Sequence, residues 1–232
     1  MFRGLPKFTT YLASPKGQVQ AAAVAGMPVL VSLVGYGPWL DRYQPTFSRI
    51  LVDSGAYSEM NSGKVVDLDR YVDFIARWEG RADAIAGLDD IRGDWRRSLR
   101  NYERGGFPTI HDTDPEELLP DLIDIARERG GWIGVGVLPP RQGKREWLQR
   151  TLARIPDDIH VHGWALRAYR DEPRLDSVDS TDWWRTALRV GGNSDTKHLT
   201  HSECLEIVVK RYQRERRKLR TPEKIEAQRT LL

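Results

Sequence analysis

The chain has 232 residues, enough for a buried core in one large domain or two small ones, and 40% hydrophobic content fits an ordinary globular protein. No apolar run approaches the roughly 20 residues that span a bilayer, and the lone Cys204 excludes both an internal disulfide and a thiolate zinc cluster. Lys and Arg number 36 against 33 Asp and Glu, so no strong overall charge dictates a partner; a reduced, cytoplasmic protein without signal peptide or membrane contact is expected.

Lys7–Leu12 is a candidate first strand, and Pro28–Val34 and Arg49–Asp53 are short, apolar successors that run into Gly or Ser. Leu68, Tyr71, Val72, Ile75 and Trp78 then recur at helical spacing and predict one buried stripe. The next strands are Asp83–Leu88 and Phe107–His111. Asp114-Pro115-Glu116-Glu117 reads as an N-cap, a proline at the first helical position and an acid three residues after the cap. Leu118, Leu119, Leu122, Ile123 and Ala126 supply that helix with its apolar face. Trp132–Leu138 follows as a strand, Trp147, Leu148, Leu152 and Ile155 as a helix face, and Ile159–Gly163 and Leu175–Asp179 as the last strands, with Leu188–Gly191 as an alternative. Thr200-His201-Ser202-Glu203 is a second capping box, and Thr221-Pro222-Glu223 restarts a short helix.

The helix opened by Thr200 carries a charge asymmetry. From Lys210 to Arg220 seven basic residues meet one acid, Glu215, for a local +6, while the rest of the chain sums to −3. Lys210, Arg211, Arg214 and Arg217 are therefore candidates for contact with a polyanion. Taken alone, a charge run is better explained as a solvated helix face.

Strands alternating with helices imply parallel pairing, since each helix serves as a crossover. The expected fold is α/β, a compact (β/α)8 TIM-type barrel over residues 1–199 with a basic helical extension over 200–232. A doubly wound open sheet is the alternative, although no Gly-x-Gly-x-x-Gly follows a strand.

Strand after strand ends in an ionisable or glycine-rich group: Asp53, Asp89, His111, Gly134-Val135-Gly136, His162 and Asp179. In a barrel these ends share one rim, where active sites are built. Each alone has a plainer explanation, since an Asp after a strand commonly caps a helix and glycines commonly serve close packing. Asp53-Ser54-Gly55-Ala56-Tyr57 joins an acid to a low-bulk turn that a flat ligand can approach, with Tyr57 free to stack. Asp179 ends a strand just before a helix whose first amides would hold its carboxylate, or else Asp179 and Ser180 simply cap that helix. Two carboxylates on one pocket suit cleavage of a glycosidic bond, one attacking the anomeric carbon and the other managing the proton.

Asp53-Ser54-Gly55-Ala56-Tyr57, Gly87-Leu88-Asp89-Asp90, Trp132-Ile133-Gly134-Val135-Gly136, His160-Val161-His162-Gly163-Trp164 and Ser177-Val178-Asp179-Ser180 occur in the order that resembles the tRNA-guanine transglycosylase superfamily. The resemblance spans roughly Lys7 to Trp184. It is nearest to the small phage-type, DpdA-like enzymes that exchange guanine in DNA for a 7-deazaguanine such as preQ0. It implies Asp179 as the nucleophile that forms a covalent sugar–enzyme intermediate, and Asp53 as the general acid/base. It further implies Tyr57 stacking on the base, Asp89 on its guanine-like edge, His111 at the carbonyl side, backbone near Gly134 closing the pocket and His162 against the other purine face. A free 7-deazaguanine is the implied co-substrate; no cofactor or metal is implied. Accessory proteins or a homodimer fit the same scheme. The tRNA enzymes carry a Cys-x-Cys-x-x-Cys…His zinc site after the nucleophile, whereas this chain has one cysteine, which favours DNA over tRNA. In duplex DNA the target base must be extruded; Trp183 or Trp184 could fill the gap, although core packing is the expected role for at least one of them. A tRNA-directed enzyme, a non-catalytic nucleic-acid-binding barrel and a hydrolase of free nucleosides remain the alternatives.

Overall fold

A computed structural model describes residues 8–35, 37, 39–63, 65–138, 143–193 and 195–218, the side chains of 62 and 215–218 excepted. The restart at Thr221-Pro222-Glu223 and the side chain of Arg217 lie outside them. Along the chain run β1 (Thr9–Ala13), α1 (Gln18–Ala23), β2 (Pro28–Ser32), α2 (Trp39–Tyr43), β3 (Arg49–Asp53), α3 (Ala56–Ser62) and α4 (Leu68–Trp78). They continue with β4 (Ala84–Ile85), α5 (Trp95–Tyr102), β5 (Thr109–His111), α6 (Leu119–Glu128), β6 (Trp132–Gly136) and α7 (Arg145–Arg154). Last come β7 (His160–Trp164), β8 (Ser177–Ser180), α8 (Asp182–Gly191) and α9 (His201–Lys218).

All eight strands form one parallel sheet in the order β4-β3-β2-β1-β8-β7-β6-β5. Just beyond its two end strands, Ala86 and Phe107 form a parallel bridge, reinforced by Gly87 N–H donating to Phe107 O at 2.8 Å and Phe107 N–H to Ile85 O at 2.8 Å. The curled sheet with its helices is a TIM-like barrel arrangement.

Alternation along the strands sorts the side chains into two faces. Ile50 and Val52 of β3 join the outer apolar layer with Val29, Val31, Phe74 and Trp78, while Leu51 lies inside with Tyr11, Leu30, Ala86, Phe107 and Trp132. Asp53, two residues beyond Leu51, therefore falls on the inner face at the C-terminal end of its strand. The same parity places Asp179 beyond Ser177, His162 beyond His160 and His111 beyond Thr109.

The predicted α4 forms over Leu68–Trp78, capped by Asp67 accepting from Arg70 N–H at 2.7 Å. The box at Thr200 also forms: Thr200 N–H donates to Glu203 Oε2 at 2.7 Å, and Glu203 N–H to Thr200 Oγ1 at 3.3 Å. The helix it opens buries Cys204, Leu205, Val208, Val209 and Tyr212 in the apolar layer that also holds Trp183 and Ala187. Residues 201–212 are thus continuous with the barrel's core.

Several expectations are corrected. Leu188–Gly191 lies in α8, not in a strand. Of the two tryptophans, it is Trp183 that takes the expected core role, fully buried and donating from Nε1 to Ala13 O at 3.1 Å, which removes it as the residue that stacks in a DNA gap. Asp114 does not cap a helix: its carboxylate turns back to His111 N–H at 2.7 Å, and a short 3-10 turn, Glu116–Leu118, precedes α6 without a side-chain cap.

Candidate active site

The inner-face residues at the C-terminal strand ends converge. Asp53 follows four strand residues of β3 and is succeeded by Ser54 and by Gly55 at φ 86. A Cβ on Gly55 would come within 2.6 Å of Val34 Cγ2, so sterics as well as φ demand glycine there. The turn brings the Gly55 N–H to the Asp53 carboxylate, and Ser32 lies in register with Asp53 on the paired strand, its buried hydroxyl outside hydrogen-bond geometry. Burial nevertheless dominates, and with the charges of Asp89 and Asp179 it pushes the Asp53 carboxyl from 3.8 up to about 7. Asp89 and Asp179 therefore both lie within electrostatic reach of Asp53.

Asp89 follows β4 and is held by a chain of polar groups. Ser54 Oγ donates to Asp89 Oδ1 at 3.4 Å, and His111 Nε2 lies 3.2 Å from Asp89 Oδ2. Burial raises the Asp89 carboxyl, while the facing His111 charge opposes that rise. On the other side of the imidazole, Nδ1 is 3.5 Å from Asp114 Oδ2. Burial disfavours the imidazolium, but the Asp114 hydrogen bond and the charges of Asp89, Asp114 and Asp112 outweigh it, and the His111 pKa rises. Asp112, which accepts from Leu138 N–H at 2.8 Å and pairs with Lys144, braces the same turn. Tyr71 of α4 sits behind the acids. Burial and the Asp53 and Asp89 charges keep its phenol protonated, and it donates to Ala86 O.

Asp179 is 8% exposed and accepts from Ala165 N–H through Oδ1 at 2.6 Å. The amide expected from the start of α8 is instead a loop amide beyond β7; at α8 it is Ser180 Oγ that accepts, from Asp182 N–H at 3.1 Å. Ala165 has φ 51, a left-handed conformation that costs a non-glycine residue about 1–3 kcal/mol. A strained backbone position thus delivers the donor that orients Asp179.

The remaining predicted residues divide. Tyr57, in the first turn of α3, is 54% exposed, as a stacking role requires. Gly134 does not offer its backbone to a ligand: its N–H donates to Pro108 O at 2.8 Å, and a Cβ there would lie 2.3 Å from Trp164 Nε1 and 2.4 Å from Thr109 Oγ1. It makes room for the Trp164-to-Thr109 hydrogen bond of 3.0 Å, while Gly136, two residues on, makes room for the His111 ring. His162 is wholly buried, edge-on to Tyr11 and Trp164, and cannot stack against a purine. On α9, Lys210 pairs with Glu206 at 3.3 Å, and Arg211 and Arg214 are exposed.

Sequence reasoning missed Asp114, Ser32, Ser54 and Ala165. Only Ser54 carried a signal, as part of the Ser-Gly turn after Asp53. Among the described residues no group of three or more His, Cys, Asp or Glu side chains is disposed to hold a metal ion, and no helix is long and apolar enough to cross a membrane. Cys204 is a buried free thiol.

No family model, curated protein or solved structure matches the chain. The functional reading therefore rests on the geometry and on the motif order.

Proposed function

We propose that the protein is a guanine transglycosylase, a (β/α)8 barrel with a basic helical extension that replaces guanine in DNA with a 7-deazaguanine such as preQ0. The observation that carries this reading is the electrostatic coupling of Asp53 to both Asp89 and Asp179 at one rim of the sheet. Asp179, held through Oδ1, attacks C1′ of the sugar while the C1′–N9 bond breaks and its electron pair leaves with the purine. Asp53, poised near pH 7, donates a proton to the departing base and recovers it from the incoming one. Asp89 accepts from the two N–H groups of the 2-amino-pyrimidinone edge, and His111, whose pKa Asp114 helps to raise, donates at the carbonyl. Tyr57 stacks on the base. The exposed cations of α9 approach phosphates beside the barrel.

DNA is favoured over tRNA because one cysteine cannot build the Cys3His zinc site of the tRNA enzymes. The test is exchange of labelled guanine with DNA and tRNA side by side, with and without a deazapurine base. Exchange into DNA that disappears in Asp179→Asn is the expected result. Exchange into tRNA alone would reassign the substrate, and none into either, with extruded or single-stranded targets included, would overturn the reading.

A further inference from the structure

Below Asp179 the inner face carries a polar chain that the proposed reaction does not use. Ser177 Oγ lies 2.8 Å from His160 Nε2 and 2.9 Å from His162 Nδ1. His162 is 0% exposed, and its other nitrogen, Nε2, has no hydrogen-bond partner and faces Asp179 Oδ1 at 3.6 Å.

We propose that His160, Ser177 and His162 form a tautomer lock that directs an N–H of His162 at Asp179 Oδ1 and leaves Oδ2 as the oxygen that reacts. The lock rests on the reading of Asp179 as nucleophile and makes His162 a positioning residue.

A serine hydroxyl has one proton, so of two imidazole nitrogens in contact with it one receives a hydrogen bond and the other donates. His160 is neutral: burial, followed by the neighbouring His162, Arg49 and Arg174, lowers it to about 3. With one proton on His162, two arrangements exist. If Ser177 donates to His160, His162 must carry its proton on Nδ1 and turn a lone pair toward a carboxylate oxygen in a site closed to solvent. If His160 donates to Ser177, Ser177 donates to His162 Nδ1, and His162 presents Nε2–H to Asp179. Only the second matches the charge of a carboxylate.

Oδ1 then faces two N–H groups, Ala165 at 2.6 Å and His162 at 3.6 Å, the latter beyond hydrogen-bond length until the carboxylate shifts. No described residue donates to Oδ2. Oδ2 forms the bond to C1′ as C1′–N9 breaks; in the second half N9 of the incoming 7-deazaguanine bonds to C1′ and yields its proton to Asp53 as the O–C1′ bond breaks, its electron pair returns to the carboxylate, and Oδ1 again faces both donors. His162 fixes which oxygen is presented and where, so its loss lowers kcat and leaves the KM for the free base unchanged.

The decisive measurement is the 15N spectrum of the full chain labelled at histidine, which reads tautomers without requiring activity. The expected result is His162 with its proton on Nε2 alone, and loss of that single tautomer in Ser177→Ala. A His162 proton on Nδ1, or on both nitrogens, overturns the lock whatever the enzyme does. Kinetics provide the second reading. His162→Gln can place an N–H at the Nε2 position and keeps most of kcat, whereas His162→Asn preserves only the contact with Ser177 and loses about 10²-fold. Equal losses in the two variants would make His162 merely structural. An inactive wild type would remove the proposed exchange reaction while the spectrum still decides the tautomer.

Discussion

Replacing Asp53 with Asn should stabilise the protein at alkaline pH and do nothing at acidic pH. In the folded chain the carboxyl titrates at about 7 instead of 3.8, chiefly because burial and the charges of Asp89 and Asp179 oppose its ionisation. Between those values the folded state binds a proton that the unfolded state releases, so stability falls as pH rises through the window. At about 1.4 kcal/mol per pH unit the full shift corresponds to about 4 kcal/mol. Asp53 retains some solvent exposure, and screening reduces this to about 2–3 kcal/mol. An amide does not ionise but still accepts the Gly55 N–H, so Asp53→Asn escapes the loss. Urea unfolding of wild type and variant at about pH 3, below both titrations, and at about pH 8.5 is the assay. Near-equal midpoints at the lower pH and a variant more stable by about 2–3 kcal/mol at the higher are expected. A difference independent of pH, or a variant less stable at both, would refute the placement of a reluctantly ionised acid at the end of β3.

Asp179→Asn should lose base exchange by about 10⁴-fold or more while its unfolding midpoint barely moves, because the amide oxygen still accepts from Ala165; an active variant would remove the nucleophile. Gly134→Ala forces a methyl to within 2.3 Å of Trp164 Nε1. Overpacking of this kind costs about 2–3 kcal/mol, measurable as a drop in Tm of about 4–12 °C, and an unchanged Tm would show that Trp164 yields freely. Thr200→Ala opens the capping box at α9 and should cost about 1 kcal/mol in urea unfolding. Arg211→Gln with Arg214→Gln should flatten the dependence of DNA affinity on salt by about one unit of log–log slope for each phosphate no longer neutralised; an unaltered slope would exclude this face of α9.

The fold was largely legible because alternation is a local property. Arg49–Asp53 appears as β3 with the predicted ends, and the stripe through Tyr71, Ile75 and Trp78 packs as expected. The same parity brought Asp53 and Asp179 to one rim. What escaped was every contact in which a polar group chooses a distant partner over a near one. Asp114-Pro115-Glu116-Glu117 satisfies the rules for a helix start, yet Asp114 gains more by bonding a buried histidine, a choice visible only once β5 is in place. Gly134 and Gly136 looked like a ligand cradle, but they accommodate Trp164 and His111 from neighbouring strands, and strand register cannot be read from one segment. Ala165 carried no signal at all, since nothing about alanine announces a left-handed φ.

The division of labour among the acids follows from their different surroundings. A buried carboxylate with two acids in electrostatic reach has two cheap remedies: retaining a proton or acquiring a cation. Asp53 takes the first, held near neutrality by burial and by its two neighbours. Asp89 takes the second, facing an imidazole whose proton affinity Asp114 raises from behind. Asp179 is the acid given a directed backbone N–H on one oxygen, an arrangement that holds a carboxylate in place without covering its other face. A proton donor, a hydrogen-bond acceptor and an oriented oxygen are the groups that the proposed exchange of a purine on a sugar would use. Removing the Asp179 charge should also relax Asp53 toward ordinary carboxylate behaviour, so the two acids are a linked pair, and any proton Asp53 gives the base depends on the charge Asp179 carries at that moment.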